Sequence, residues 1–309
     1  MPDHAPFWSV VIPLYNKGPY IEATVASVLA QSDPDFEIVV VDDGSRDEGP
    51  DRVAAMSDPR VRLIRQANGG VSAARNRGIA EARGVFVAFL DGDDLYHPAC
   101  LAVLKAAYER SPEIKILSGG YERVPHAQMA DHLFKKMMIP QAHVLIRNLP
   151  LELLRSGMPF FTSSVAVRRS SLMEMDEPFP VGESMGEDLD LWFRLCEHEP
   201  IAWVDMPIAV YRVGIADSLV GSYRASELLP VWSRLEHRAL AMKSGEELRR
   251  SSLRLVAEMR LTLARVLAAE GAKNAAFKLW VSAWRSIGGR RWWFTLLILF
   301  SPRFAASVR

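Results

Sequence analysis

Gly84-Val85-Phe86-Val87-Ala88-Phe89-Leu90-Asp91-Gly92-Asp93-Asp94 is the stretch on which the fold of this 309-residue chain turns. The apolar run from Val85 to Leu90 reads as a buried strand, of the continuous kind found where both faces of a parallel sheet are covered. It stops at three carboxylates within four positions. Open α/β sheets bind ligands in the crevice beyond the carboxyl ends of their strands, and the cluster falls there. Adjacent carboxylates repel one another unless a cation neutralises them. Mg²⁺ or Mn²⁺ commonly takes one or two carboxylates together with substrate phosphates, which this cluster could provide. Gly92 lets the backbone approach a bound ligand closely. The competing reading is a solvated acidic loop. The position at a strand end, with Pro98 opening the next helix, favours a cation site.

Outward from this strand, short apolar runs alternate with helical periodicity, the signature of βαβ units. Strands are expected at 8–13, 36–41, 60–65, 84–90 and 114–118, and helices at 18–31, 72–83 and 101–110. On the first helix Ile21, Val25, Val28 and Leu29 share one face. Residues 122–160 are less regular and read as a lid or insert. Further strands are expected at 165–168 and 201–211, beside a helix at 188–196. Beyond about Ser222 the pattern is helical only, over 228–242, 246–269 and 272–286, with a module boundary near 215–225. The fold class expected is α/β with a mostly parallel central sheet over 1–220, followed by a basic α-helical module over 221–309.

The net charge of zero hides an asymmetry. Residues 234–309 hold 15 Lys/Arg against 5 Asp/Glu, or +10, which leaves −10 on the remainder. A basic tail on an acidic body points to an anionic partner. Arg290-Arg291-Trp292-Trp293-Phe294 reads as a membrane-surface element, with arginines for anionic headgroups and tryptophans for the interface. The alternative is a helical bundle packed on the catalytic domain or on a second subunit. Nucleic acid is not expected, because no recognisable binding module accompanies the charge. Cys100 and Cys196 form neither a disulfide framework nor a metal-like spacing. The N-terminal residues lack the pattern of a signal peptide. The late apolar run 292–300 is shorter than the ~20 residues that span a bilayer. The expected location is cytoplasmic, with peripheral contact at the inner face of the plasma membrane.

Three further segments are candidates for chemistry. Asp42-Asp43-Gly44-Ser45 ends the second strand, where Asp42 could accept hydrogen bonds from a base or ribose; a plain turn is the equal alternative. Asn68 to Asn76 sets Gly69 and Gly70 before a helix N-terminus, a ready anion site. Arg75 there could face phosphates or form a structural ion pair. Glu187-Asp188 could supply a general base, although acids at a helix start are also favoured by the dipole, by ~0.3–1 kcal/mol. On local grounds the helix start is the better reading of that pair.

Taken in order, VVIPLYN (10–16), VVVDDGS (39–45), NGGVSAARNRG (68–78), FLDGDD (89–94) and GEDLDLWFRL (186–195) resemble glycosyltransferase family 2 across about residues 7–215. The resemblance implies a GT-A fold with a DXD motif, a nucleotide-diphosphate-sugar donor and inverting hexosyl- or N-acetylhexosaminyl-type transfer to a glycan or lipid-linked acceptor. By matching position it implies that Pro13, Tyr15 and Asp42 line the nucleoside pocket. Asp91 would lie on the ribose or metal side and Asp93 would be the ligand of Mg²⁺ or Mn²⁺. Asp188 would be the catalytic base, with Glu187, Thr162 and Ser163 on the acceptor side. Gly70 and Arg75 join the donor-binding set from the helix-terminus reading above.

One departure stands out. Family members often carry a histidine shortly after a Tyr-Arg pair, where Tyr211-Arg212-Val213-Gly214 has glycine. Arg212 or Arg224 would have to substitute. The missing histidine sustains the rival of a silent sugar-nucleotide-binding scaffold in a glycan-assembly complex. A nucleotidyl- or phosphotransferase is disfavoured by the lack of a Lys-rich phosphate loop.

Overall fold

The computed structural model describes residues 5–132, 134–135, 138–183, 185–215 and 226–300. Met137, Arg224 and residues 216–225 of the expected module boundary lie outside the described residues. The chain forms two compact units, Met1–Arg147 with Met158–Ser218, and Asn148–Gly157 with Leu219–Arg309.

The first unit is built on one sheet. Its strands among the described residues are β1 (Trp8–Leu14), β2 (Phe36–Asp42), β3 (Val61–Arg65), β4 (Phe86–Phe89), β5 (Leu95–Tyr96), β6 (Ile116–Pro125), β7 (Val144–Ile146), β8 (Val165–Arg168) and β9 (Ile201–Val213). They lie in the order β3-β2-β1-β4-β8-β6-β9-β5, with β7 also on β9. Six of these strands, β1, β2, β3, β4, β6 and β9, point one way, while β5, β7 and β8 run against them. The fold is therefore α/β with a mostly parallel central sheet. Position follows sequence. The interior strand β2, a near-continuous apolar run, is buried along its length as Phe36-Glu37-Ile38-Val39-Val40-Val41-Asp42. Edge strand β3, with Arg62 and Arg65 in its five residues, is only partly buried.

Helices α1 (Gly18–Leu29), α2 (Gly49–Ala54), α3 (Val71–Glu81), α4 (Cys100–Arg110), α6 (Arg169–Met173) and α7 (Glu187–Cys196) belong to this unit. Ile21, Val25 and Val28 of α1 are fully buried in the core with Ile12 and Leu14 of β1. Each such side chain contributes about 1.5–3 kcal/mol on burial. Trp192 and Phe193 of α7 are core residues, as their spacing suggests. The register sets Leu14 beside Asp42 and Val11 beside Phe89, so the loops after β1, β2 and β4 open on one edge of the sheet. Part of the expected insert belongs to the sheet itself. Residues 122–125 continue β6, paired with β9 from Glu122↔Val210 to Pro125↔Val213, and β7 adds to the other side of β9.

Helix α3 presses onto β1 at Gly78, where a Cβ would stand 2.2 Å from Cγ1 of Val11. Gly78→Ala is expected to destabilise by about 1–3 kcal/mol through overpacking, reduced by the ~1 kcal/mol helix preference of alanine. Denaturant unfolding checks this. The same change in a Val11→Ala background should be neutral or stabilising.

The second unit is helical: α5 (Leu149–Ser156), α8 (Pro230–Ala241), α9 (Glu246–Ala269), α10 (Lys273–Ser282), a 3₁₀ turn (Trp284–Ser286) and α11 (Arg290–Phe300). Helix α5 falls within the sequence of the expected insert yet packs here. Its N-cap Asn148 accepts from the Leu151 N–H at 3.0 Å and from the Ser251 hydroxyl of α9 at 2.8 Å. Arg260 of α9 grips both carboxylate oxygens of Glu236 on α8, at 2.8 and 2.5 Å. Ala257, Leu261, Ala264 and Ala268 of α9 meet Ala276, Ala283, Trp292, Ile298 and Leu299 in its core.

Candidate active site

The loops after β1, β2 and β4 carry most of the candidate residues. Pro13 lies within β1, beside Val41 of β2, and the 44%-exposed Tyr15 follows the strand at the sheet edge. Asn16 follows in the left-handed region at φ 50°, strained for a non-glycine residue. Its side chain accepts from the Arg46 N–H at 2.8 Å and its own N–H donates to the Ser45 hydroxyl at 3.1 Å, which ties the first two loops together. Asp42 ends β2 and accepts from the Ser45 N–H at 2.9 Å, the Asp-turn geometry expected of this composition.

Asp43, to which the sequence alone assigns no role, holds the glycine loop. Its carboxylate takes the N–H groups of Gly69 (2.9 Å) and Gly70 (2.8 Å) and the Gln66 amide (2.8 Å). The Gly70 donor assigned to a substrate anion is therefore engaged by the protein's own carboxylate. Two negative groups cannot share those donors, so the loop is held from within.

The three carboxylates of the acidic loop have three different surroundings. Asp91 accepts from Arg75 at 2.8 Å, and its N–H donates to the Ser163 hydroxyl oxygen at 3.0 Å. Asp93 pairs with the Lys17 ammonium at 2.6 Å. Asp94 is fully buried, accepting from the Ser163 hydroxyl at 2.7 Å and the Arg212 N–H at 3.0 Å. Burial raises the Asp94 carboxyl well above its ordinary range, and the charges of Asp93 and Asp91 add to the rise. Burial also raises Asp93, with Lys17 pulling back and Asp91 pushing further. From α1, Thr24 donates to the carbonyls of Gly92 (3.1 Å) and Asp94 (2.9 Å). Gly92 must be glycine, because a Cβ would stand 2.9 Å from the Pro13 carbonyl oxygen.

These surroundings decide which groups suit a cation. Asp94 has both oxygens occupied by donors inside the fold. Asp91 and Asp93 keep exposed area, and Asp93 senses the charge of Asp91. No cluster of three or more His, Cys, Asp or Glu suited to a metal exists among the described residues. Asp91 and Asp93, paired here with Arg75 and Lys17, are the carboxylates that would be left to join phosphate oxygens around Mg²⁺ or Mn²⁺.

Arg75 connects this loop to the second acidic cluster. One guanidinium nitrogen bonds Asp91 and the other Glu187, each at 2.8 Å, with the Phe179 ring 5.2 Å below. At 4% exposure Arg75 has no open face for a phosphate. Of its two expected roles, the ion pair is the one observed. Burial opposes its charge, but Asp91 and Glu187 outweigh that and its pKa rises. Glu187 is pushed up by burial first and by Asp188 second, with Arg75 opposing. Glu187 is buried and accepts from the Arg75 guanidinium at 2.8 Å.

Asp188 is half-buried and held at both oxygens. It accepts from the Thr162 hydroxyl at 2.9 Å and from the Leu189 N–H at 2.7 Å. Thr162 and Ser163 are themselves buried in the turn before β8. Thr162 orients Asp188, and Ser163 fastens Asp94 to the Asp91 backbone. Arg212 supports the loop from β9 through its N–H to Asp94 and its Nε to the Asp93 carbonyl at 2.6 Å. His126 lies 3.3 Å from the Arg212 guanidinium, and Gly214 adopts φ 77°.

With this geometry established, comparison with known proteins is specific. The profile of glycosyl transferase family 2 matches residues 9–174, and the chain belongs to that family. It is 40% identical over 118 residues to the glycosyltransferase EpsJ of Bacillus subtilis, covering 38% of this chain and 34% of EpsJ. To EpsH of the same organism it is 28% identical over 226 residues, covering 71% of this chain and 64% of EpsH. The first relatives are matched over only about a third of their own length. The structure of S. aureus TarS 1-349 in complex with UDP-GlcNAc superposes with TM-score 0.63 at 21% identity, over 82% of this chain and 71% of that one. The GT-A-type fold implied by the sequence is the fold found.

Proposed function

We propose that the chain is a metal-dependent inverting glycosyltransferase that moves a sugar from a nucleoside-diphosphate donor to a hydroxyl of a glycan or lipid-linked acceptor, in cell-surface polysaccharide or lipopolysaccharide assembly. The observation that carries this reading is Arg75, which ties the cation-suited Asp91 to Glu187, the neighbour of Asp188. In this reading Arg75 links a leaving-group site to the neighbourhood of a base. Uridine is the first base to test, because TarS was solved with UDP-GlcNAc.

Asp91 and Asp93 would hold Mg²⁺ or Mn²⁺, which when bound neutralises the charge that develops on the departing diphosphate. Lys17 adds a second positive charge beside Asp93. Tyr15 and Asp42 border the place for the nucleoside. Asp188 removes the proton from the acceptor hydroxyl as its oxygen attacks the anomeric carbon, so a single displacement inverts that centre. Thr162 and the Leu189 N–H fix the carboxylate plane for this transfer.

Thermal shift with UDP-sugars and Mn²⁺ tests the donor half. At ligand a hundredfold above Kd, binding stabilises by about 2.7 kcal/mol. Asp93→Ala should remove the Mn²⁺-dependent part of that shift. Absence of any shift with any nucleoside-diphosphate sugar and metal would overturn the reading. Donor binding without turnover against any acceptor extract would identify a scaffold instead.

A further inference from the structure

The helices α10 and α11 each bury one side and leave an apolar stripe on the other. Ala276 of α10, with Trp292, Ile298 and Leu299 of α11, faces the core around α9. Trp280 stacks on Trp292 at 4.2 Å between ring centres and donates its indole N–H to the Trp292 carbonyl at 3.1 Å, which fixes the two elements together. On the outside lie Phe277, Val281 and Trp284, and then Trp293, Leu297 and Phe300, all between 43% and 69% exposed. Trp293, Leu297 and Phe300 follow the i, i+4, i+7 spacing of one face of α11; Phe277 and Val281 share a face of α10, and Trp284 follows in the 3₁₀ turn. The stripes meet, because the rings of Phe277 and Phe300 make an edge contact at 6.2 Å. Contiguous exposed apolar surface of this kind marks a docking site, whereas scattered exposed residues do not.

Charge identifies the occupant. Between Gly271 and Phe300 the sequence carries Lys273, Lys278, Arg285, Arg290 and Arg291 and no acidic residue. Lys273, Lys278 and Arg290 are exposed, while Arg291 pairs with Glu258 of α9 at 3.3 Å. A second copy of the chain, pairing through the same surface about a two-fold axis, would bring basic rims against basic rims. An anionic bilayer instead offers headgroups to the basic residues and acyl chains to the apolar stripes, and tryptophan favours the boundary between them. No helix among the described residues is long and apolar enough to cross a membrane. Helix α11, with 11 residues at 1.5 Å each, reaches about 16 Å against a hydrocarbon core of about 30 Å.

We infer that the joined outer faces of α10 and α11 form a monotopic docking surface for anionic phospholipid, lying in the plane of the bilayer interface. This goes beyond the proposed catalytic reading and rests on none of its residues. The surface would keep the chain beside lipid-borne molecules whatever reaction it performs.

Flotation of the full chain with vesicles of phosphatidylcholine alone, and of phosphatidylcholine mixed with phosphatidylglycerol, tests it. The chain should float with the mixed vesicles only, with a blue shift of tryptophan emission, and added salt should release it. Each basic residue replaced in Lys278→Gln and Arg290→Gln should weaken partitioning about fivefold. Trp293→Ser with Leu297→Ser should abolish it while the melting temperature stays unchanged, since both side chains are exposed. Failure to bind mixed vesicles would overturn the inference, as would equal binding to both vesicle types. A dimer dispersed by Trp293→Ser, with no flotation, would assign the surface to a second copy.

Discussion

Asp188→Asn is expected to reduce transfer by about 10²–10⁴-fold, the usual worth of a positioned general base, while Mn²⁺-dependent donor binding changes little. Asparagine keeps the shape: its carbonyl oxygen can accept from the Leu189 N–H while its amide NH2 donates to the Thr162 hydroxyl oxygen, so the turn before β8 should not move. It loses only the capacity to take a proton. The loss should therefore fall on kcat, with the thermal shift by donor preserved. Thr162→Val makes a graded companion: it removes the hydrogen bond and leaves the carboxylate. Its expected effect is a smaller fall in kcat, together with an altered pH profile if Thr162 orients the base. Loss of donor binding in Asp188→Asn would move this carboxylate to the donor side and end its assignment as base.

Some of this site was legible because its signals are local. A continuous apolar run needs two covered faces, so Val85 to Leu90 announced a buried strand, and the carboxylates after it had to lie at the sheet edge. Other parts could not be read because their partners lie far along the chain. Nothing local separates Asp43 from Asp42, yet Asp43 reaches Gly69 and Gly70 across a loop and a strand. Glu187 and Asp188 read as ordinary helix-start acids, and only burial against Arg75 distinguishes Glu187. The entry of β8 antiparallel between β4 and β6 has no signature within its four residues. In the second unit, periodicity revealed the amphipathic pattern of α10 but not which of its faces the bundle covers, and α11 was visible only as a basic and apolar run.

Arg75→Met is expected to destabilise the first unit by about 3–5 kcal/mol, the usual consequence of removing one member of a buried ionic cluster. For a unit of this size that corresponds to a fall in Tm of roughly 6–20 °C. The reason is the unequal position of its partners. Asp91 keeps some access to water, but Glu187 is buried beside Asp188 and would be left charged without a counter-ion. Arg75→Lys should recover only part, because one ammonium cannot fork between two carboxylates as a guanidinium does. Adding Glu187→Gln to Arg75→Met should recover more, since it removes the uncompensated charge itself. The pH dependence has a definite sign. A carboxyl raised in the fold favours the folded state when protonated, and that contribution is lost as pH rises through its folded-state pKa. Without Arg75 the Glu187 carboxyl rises further, so the deficit of Arg75→Met should be largest at neutral pH and shrink on acidification. Unfolding curves at several pH values measure it. A variant as stable as the parent at neutral pH would show that Arg75 does not hold the two acidic clusters together, and the observation behind the proposed function would fall with it.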